Sequence, residues 1–153
     1  MKKRSRYCPK PIRQDVMSFV KAGIQTVAAT GALSSLQIKN HDALASLVRG
    51  HANRQDIEML IEASNMTEGL AWLGFGKQWN QAIKAGEDAI GSIANKGAAN
   101  SHFIGTGLEL EALRELMSVH DAQLEAVTVQ HMERAMDRVN EVKRNKRARE
   151  VTA

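Results

Sequence analysis

The side chains able to do chemistry are few and scattered. Five histidines stand at His41, His51, His102, His120 and His131, with one cysteine, Cys8. A zinc site wants about four ligands at tight local spacing, and this set does not supply them. His41-Asp42 and His120-Asp121 each place a histidine beside an aspartate. Metal-dependent phosphohydrolases use such a pair, together with a separate His and a distant Asp. Adjacent residues point apart on a helix, so the dipeptide alone assembles nothing. His120 falls on an apolar stripe and reads as a core histidine with a hydrogen-bond partner.

Nucleophilic catalysis has no better footing. No serine sits in a Gly-x-Ser-x-Gly turn, and Cys8 lies in a basic leading segment with Arg6 and Lys10 beside it. Those cations would raise thiol reactivity, but reactivity without a pocket is incidental. The pair Glu87-Asp88 reads as a solvated helix face. The stretch 97–107, Gly-Ala-Ala-Asn-Ser-His-Phe-Ile-Gly-Thr-Gly, is the best small-ligand candidate. Its glycines precede a helix N-terminus, where backbone N–H groups can hold an anion. A phosphate loop needs a preceding strand and a Lys-Ser/Thr pair, which are missing here. A connection docking Phe103 and Ile104 on the core is the plainer reading. Met59, Met66, Met117, Met132 and Met136 lie mostly on inward stripes, as core filler or as a Met-rich partner groove.

Charge is the stronger signal. The chain of 153 residues carries a net +4, from 21 basic and 17 acidic groups. Residues 1–13 contribute Lys2, Lys3, Arg4, Arg6, Lys10 and Arg13 and no acid. Residues 143–149 contribute Lys143, Arg144, Lys146, Arg147 and Arg149, again without an acid. Between them, 10 basic and 16 acidic residues leave the body at −6. Basic ends on an acidic body seek an anion: nucleic acid, an acidic protein surface or the body itself. Tyr7 among the leading cations suits phosphate contact with base stacking. The expected nucleic-acid contacts are therefore Lys2, Lys3, Arg4, Arg6, Tyr7, Lys10, Arg13, Lys143, Arg144, Lys146, Arg147 and Arg149.

These groups need a scaffold, and its class is readable. Pro9 and Pro11 are the only prolines, 43% of residues are apolar, and aromatics are 4%. Ala, Leu, Met, Glu, Gln, Lys and Arg dominate, and all favour helix. No alternating strand pattern and no fixed repeat appear. No apolar run approaches the ~18 residues of a membrane span, and no secretory h-region follows the basic start. One cysteine forbids an internal disulfide, which fits a reducing, cytoplasmic setting. The expectation is an all-α helical bundle of five or six helices with basic N- and C-terminal extensions. Its division is 1–11 as an arm, 12–142 as one domain and 143–153 as a tail.

Helix by helix, Pro11 suits a first position, giving a short helix to Ala22 with Val16, Phe19 and Val20 inward. A second runs from Ser35 to Val48, burying Leu36, Leu44, Leu47 and Val48, and Gly50 ends it. Asn53 caps the next, with Asp56 three residues on. That helix carries Ile57, Leu60, Ile61, Leu70, Trp72 and Leu73 and stops at Gly74-Phe75-Gly76. Ala43–Val48 and Arg54–Ala63 have helix-turn-helix dimensions, but Asp56, Glu58 and Glu62 would repel phosphate. Trp79, Ala82, Ile83, Gly86, Ile90, Ile93 and Ala94 share one face of a further helix, ended by Gly97. Thr106 with Glu109 then caps a helix whose seam is Leu110, Leu113, Met117, His120, Leu124 and Val127. Steps of 3 and 4 make that seam nearly heptad. Leu110, Leu113, Met117 and Leu124 are thus candidates for a homodimer interface. Past Val127 the phase shifts, so Thr128 reads as a new cap and a break is expected there.

The opening Lys2-Lys3-Arg4-Ser5-Arg6-Tyr7-Cys8-Pro9-Lys10-Pro11-Ile12-Arg13, the phrase Val119-His120-Asp121-Ala122-Gln123-Leu124 and the basic ending together carry a resemblance. They resemble small uncharacterised proteins encoded by phages and prophages of proteobacteria, over most of the chain. The resemblance implies a mobile-element protein in a bacterial cytoplasm and no activity for any residue. Cys8 departs from it, standing where a basic residue is expected. The leading expectation is a non-enzymatic phage-type accessory protein, without cofactor or metal. Its basic ends would bind nucleic acid with little sequence preference. The alternative is a binder or inhibitor of a bacterial host protein, for example an anti-defence factor. A third is an enzyme that uses the 97–107 loop.

Overall fold

The computed structural model describes residues 26–27 and 32–152, with side chains from residue 33 to 146 within the second stretch. The short helix expected at Pro11–Ala22 and the leading arm lie outside the described residues. Among the described residues, five α-helices follow one another: α1 (Ala32–Val48), α2 (Arg54–Trp72), α3 (Asn80–Asn100), α4 (Gly107–Ala126) and α5 (Val129–Thr152). A 3-10 turn, Lys77–Trp79, leads into α3. Thr26 pairs with Thr128 in an isolated antiparallel bridge, and the described residues form no longer sheet. The all-α bundle is the architecture expected from composition and periodicity.

Local chemistry sets most helix ends. Asn53 Oδ1 accepts from the N–H groups of Gln55 and Asp56, and Asp56 accepts from Asn53 N–H, closing a capping box on α2. Thr106 and Glu109 do the same for α4. Gly50 takes a left-handed φ of 73° just past α1, where a Cβ would be strained. At α5, His131 replaces the usual acid of a capping box. Its Nδ1 accepts from Thr128 N–H at 3.2 Å, and its own N–H reaches Thr128 Oγ1 at 3.4 Å. The expected break at 127–128 is thus a capped corner.

Two boundaries differ from expectation. α1 begins at Ala32 rather than Ser35. α3 runs through Gly97 and ends at Ser101, which takes the left-handed conformation at φ 58°. Gly97 is there for space: a Cβ would collide with the Phe103 ring folded over it. The interhelical loop is accordingly only 101–106.

α2 is the central helix and packs on all four others. Leu60 and Leu70 from α2, Ile93 from α3, and Leu113, Leu116 and Leu124 from α4 are fully enclosed. The seam expected to pair two chains is therefore filled from inside. Leu113, Met117 and Leu124 are buried by the chain's own helices, and Leu110 is partly buried. Pairing two chains through these residues would require opening the core. Near-heptad spacing arises equally in any antiparallel bundle, because it describes one covered stripe and not its partner. Val48, expected inside, is 41% exposed at the end of α1.

α3 meets α4 most closely at Gly86. A Cβ there would lie 2.6 Å from Leu116 Cβ, whereas one at Gly91 would meet nothing within 4 Å. Gly86→Ala should therefore destabilise the fold by about 1–3 kcal/mol through overpacking. Gly91→Ala should stabilise it by roughly 0.5–1 kcal/mol through helix propensity. Paired urea denaturation curves will show the opposite signs.

Candidate nucleic-acid interface

The surface that best fits the charge signal begins with a glycine. Gly69 on α2 faces Ala135 and Val139 on α5, and a Cβ there would lie 3.1 Å from Ala135 O. Without a side chain at 69 the two helices close up. Residues one turn further along each then meet at the surface. Arg138 lies over the Trp72 ring, 4.8 Å from its centroid, and also donates to Glu141 at 3.0 Å. Trp72, Arg138, Lys143 and Lys146 line one shallow cleft of about 120 Å³, together with Asn65 and Glu68. Trp72 is 57% exposed.

The tail continues this surface. α5 runs as helix to Thr152, and Lys143, Arg144, Asn145 and Lys146 are all exposed. Arg147 and Arg149 continue the helical backbone beyond them. Successive residues turn by 100° in a helix, so Arg144 leaves α5 on a different side from Lys143 and Lys146. Lys143 and Lys146 thus share a side of the helix that Arg144 does not. Lys2, Lys3, Arg4, Arg6, Tyr7, Lys10 and Arg13 lie outside the described residues. Glu68 brings a carboxylate into the same cleft. Burial pushes the Glu87 carboxyl up, Glu68 and Asp88 add to the shift, and Lys84 and Lys146 oppose it.

Other candidates resolve differently. His41 does not work with its neighbour Asp42; its Nε2 meets Asp121 Oδ2 at 2.7 Å, joining α1 to α4. His120 is buried and pairs with Thr67, as a core histidine should. Thr67 Oγ1 donates to Ala63 O at 2.8 Å, so its oxygen is left to accept from His120 Nδ1–H at 3.0 Å. Gln123 Nε2 donates to both Thr67 O and Phe75 O. Among the described residues, no three His, Cys, Asp or Glu side chains stand together as a metal site.

The N-terminus of α4 is occupied by the chain itself. Glu109 accepts from Thr106 N–H, Ser92 Oγ and Lys96 Nζ, and the Lys96 contact leads in holding its carboxyl down at about 2. That carboxylate sits where a bound anion would go, and Ile104 points outward at 64% exposure instead of docking. The second helix of the helix-turn-helix candidate buries Ile57, Leu60 and Ala63 in the bundle and exposes Glu58 and Glu62, which would repel phosphate. No described helix is long and apolar enough to cross a membrane. Compared with protein-family models, curated protein sequences and solved structures, the chain matches none.

Trp72 and Arg138 are the cleft residues that sequence reasoning missed. An aromatic at the end of an amphipathic helix looks inward unless the neighbouring helix is known. The spacing Gly69-x-x-Trp72 opposite Ala135-x-x-Arg138 shows its meaning only once α2 and α5 are paired.

Burial gives His120 a measurable signature. Loss of hydration pushes its pKa from 6.5 down to about 4, against the pull of Asp121. The unfolded chain takes the proton near pH 6.5 and the folded chain only near 4. Stability should therefore fall as pH drops through that window, by roughly 3 kcal/mol in all. Denaturation curves of His120→Leu, taken from about pH 7 to 4, should lack that part of the fall.

Proposed function

We propose that this is a non-enzymatic, phage-type protein that binds nucleic acid with little sequence preference. The observation that carries the reading is the continuity of Trp72, Arg138, Lys143 and Lys146 with the basic end of α5. An exposed indole offers a face for an unpaired base, and the cations offer phosphate contacts. Phosphate contacts carry no sequence information, so binding through these cations would be largely indifferent to sequence. Glu68 and Glu87 on one side would repel phosphate and steer the strand toward Lys143 and Arg144. The basic leading residues would add to the same electrostatic attraction.

Binding to duplex DNA should fall steeply with salt, with a log–log slope between about −3 and −6. Arg144→Gln and Lys146→Gln should each flatten it by about 0.9. Trp72→Ala should weaken binding to a single strand by roughly 5- to 150-fold, with a smaller effect on duplex. Fluorescence anisotropy across a salt series measures all three. If the intact protein binds neither duplex nor single strands at low salt, the reading falls and a host-protein target takes its place.

A further inference from the structure

A second surface has no role in that reading. α1, α2 and α5 enclose a groove of about 740 Å³. Its apolar lining is Leu36, Met59, Met66, Met132, Met136 and Val139, and Met136 is 48% exposed. Asn40 borders the groove, is 5% exposed, and its buried Nδ2 has no hydrogen-bond partner among the described residues. Four methionines on one open surface make a soft seat for an apolar helix face. An apolar groove of this size beside an unsatisfied amide calls for an occupant.

We propose that the occupant is this chain's own segment 11–22. Its point of entry argues for this. Val27 N–H donates to Val127 O at 3.1 Å, and Thr26 bridges Thr128. Val27 is buried in one cluster with Met66, Val127 and Ala135, and Met132 packs against that cluster. Thr26 and Val27 therefore stand at the Met132 end of the groove. Three residues separate Ala22 from Thr26, a reach of up to about 13 Å. The sequence pattern gives 11–22 a helical apolar face of Val16, Phe19 and Val20. Twelve helical residues span about 18 Å, and α5 from Met132 to Lys143 spans about 17 Å.

Charge agrees with the fit. The groove is bordered by Glu62 as well as Lys39 and Lys143. In a helix, Arg13 and Asp15 flank the Val16–Phe19 face on opposite sides, and the groove rim offers both signs of charge. The seat has a consequence for the basic ends. A segment running back along α5 from Met132 toward Lys143 delivers residues 1–10 beside Lys143–Arg149. The two cationic ends then form one patch, although they are farthest apart in sequence.

Disulfide trapping in the full-length chain tests the seat independently of any nucleic-acid binding. With Cys8→Ser removing the native thiol, Phe19→Cys is combined with Met136→Cys, and Val20→Cys with Met132→Cys. The control pair is Phe19→Cys with Ser118→Cys, position 118 being exposed on α4. A disulfide forms only when Cβ atoms come within about 4.5 Å. The expected result is an intrachain crosslink in a groove pair, seen as a faster gel band that reverts on reduction, and none in the control. In the native sequence, a nitroxide on Cys8 should broaden the amide signals of residues 143–146 and leave 101–106 sharp. Two results overturn the proposal: no intrachain crosslink in either groove pair, or crosslinks only between chains, which assign the groove to a second copy.

Discussion

The bundle depends on a small set of hydrogen bonds in its driest region. Thr67, His120 and Gln123 are each no more than 2% exposed, and they join α2 to α4. Two apolar helix faces can slide against one another by a turn at modest cost. Buried polar groups cannot, because each unmade bond costs about 1–3 kcal/mol. Gln123 also holds Phe75 O, which ties the turn after α2 to the same network. The register of α4 on α2 is therefore set by polar atoms within an otherwise apolar core.

The remainder of the chain inherits that register. α4 ends at Ala126, Val127 is fully buried, and the Thr128–His131 cap starts α5 in a new direction. The His131 ring rests on Phe75, 4.7 Å between centroids, so the corner is packed against the turn that Gln123 holds. α5 returns along α2, and Gly69 lets it come close. The exposed pairing of Trp72 with Arg138 is thus a downstream result of buried hydrogen bonds some distance away. A surface built this way is braced at its base by the core.

The charge distribution acts at a different range. The acidic body and basic ends create a field felt over roughly 10 Å at ordinary salt. Glu68 lines the cleft with Lys146, and Glu87 is near enough for both to shift its titration. The body therefore does more than carry the cations. It sets carboxylates close to them, so the local field changes sign over a short distance.

Local features were readable in the sequence because their causes are local. Asn53 with Asp56, Thr106 with Glu109, Gly50 and the corner at Thr128 all act within four residues of chain. Periodicity likewise identified the helices and the apolar stripe from Leu113 to Val127. It placed His120 in the core, since a stripe position is buried whichever helix covers it. The covering helix itself was a tertiary matter. The seam was filled by the chain's own helices, Trp72 turned outward, and Gly97 lay under Phe103. Thr67 met His120 across 53 residues of sequence. The methionine stripes of α2 and α5 were left facing a groove. Amphipathicity says that a face is apolar; only the packing of helices decides whether another helix covers it, because that depends on shapes and close approaches distant in the chain.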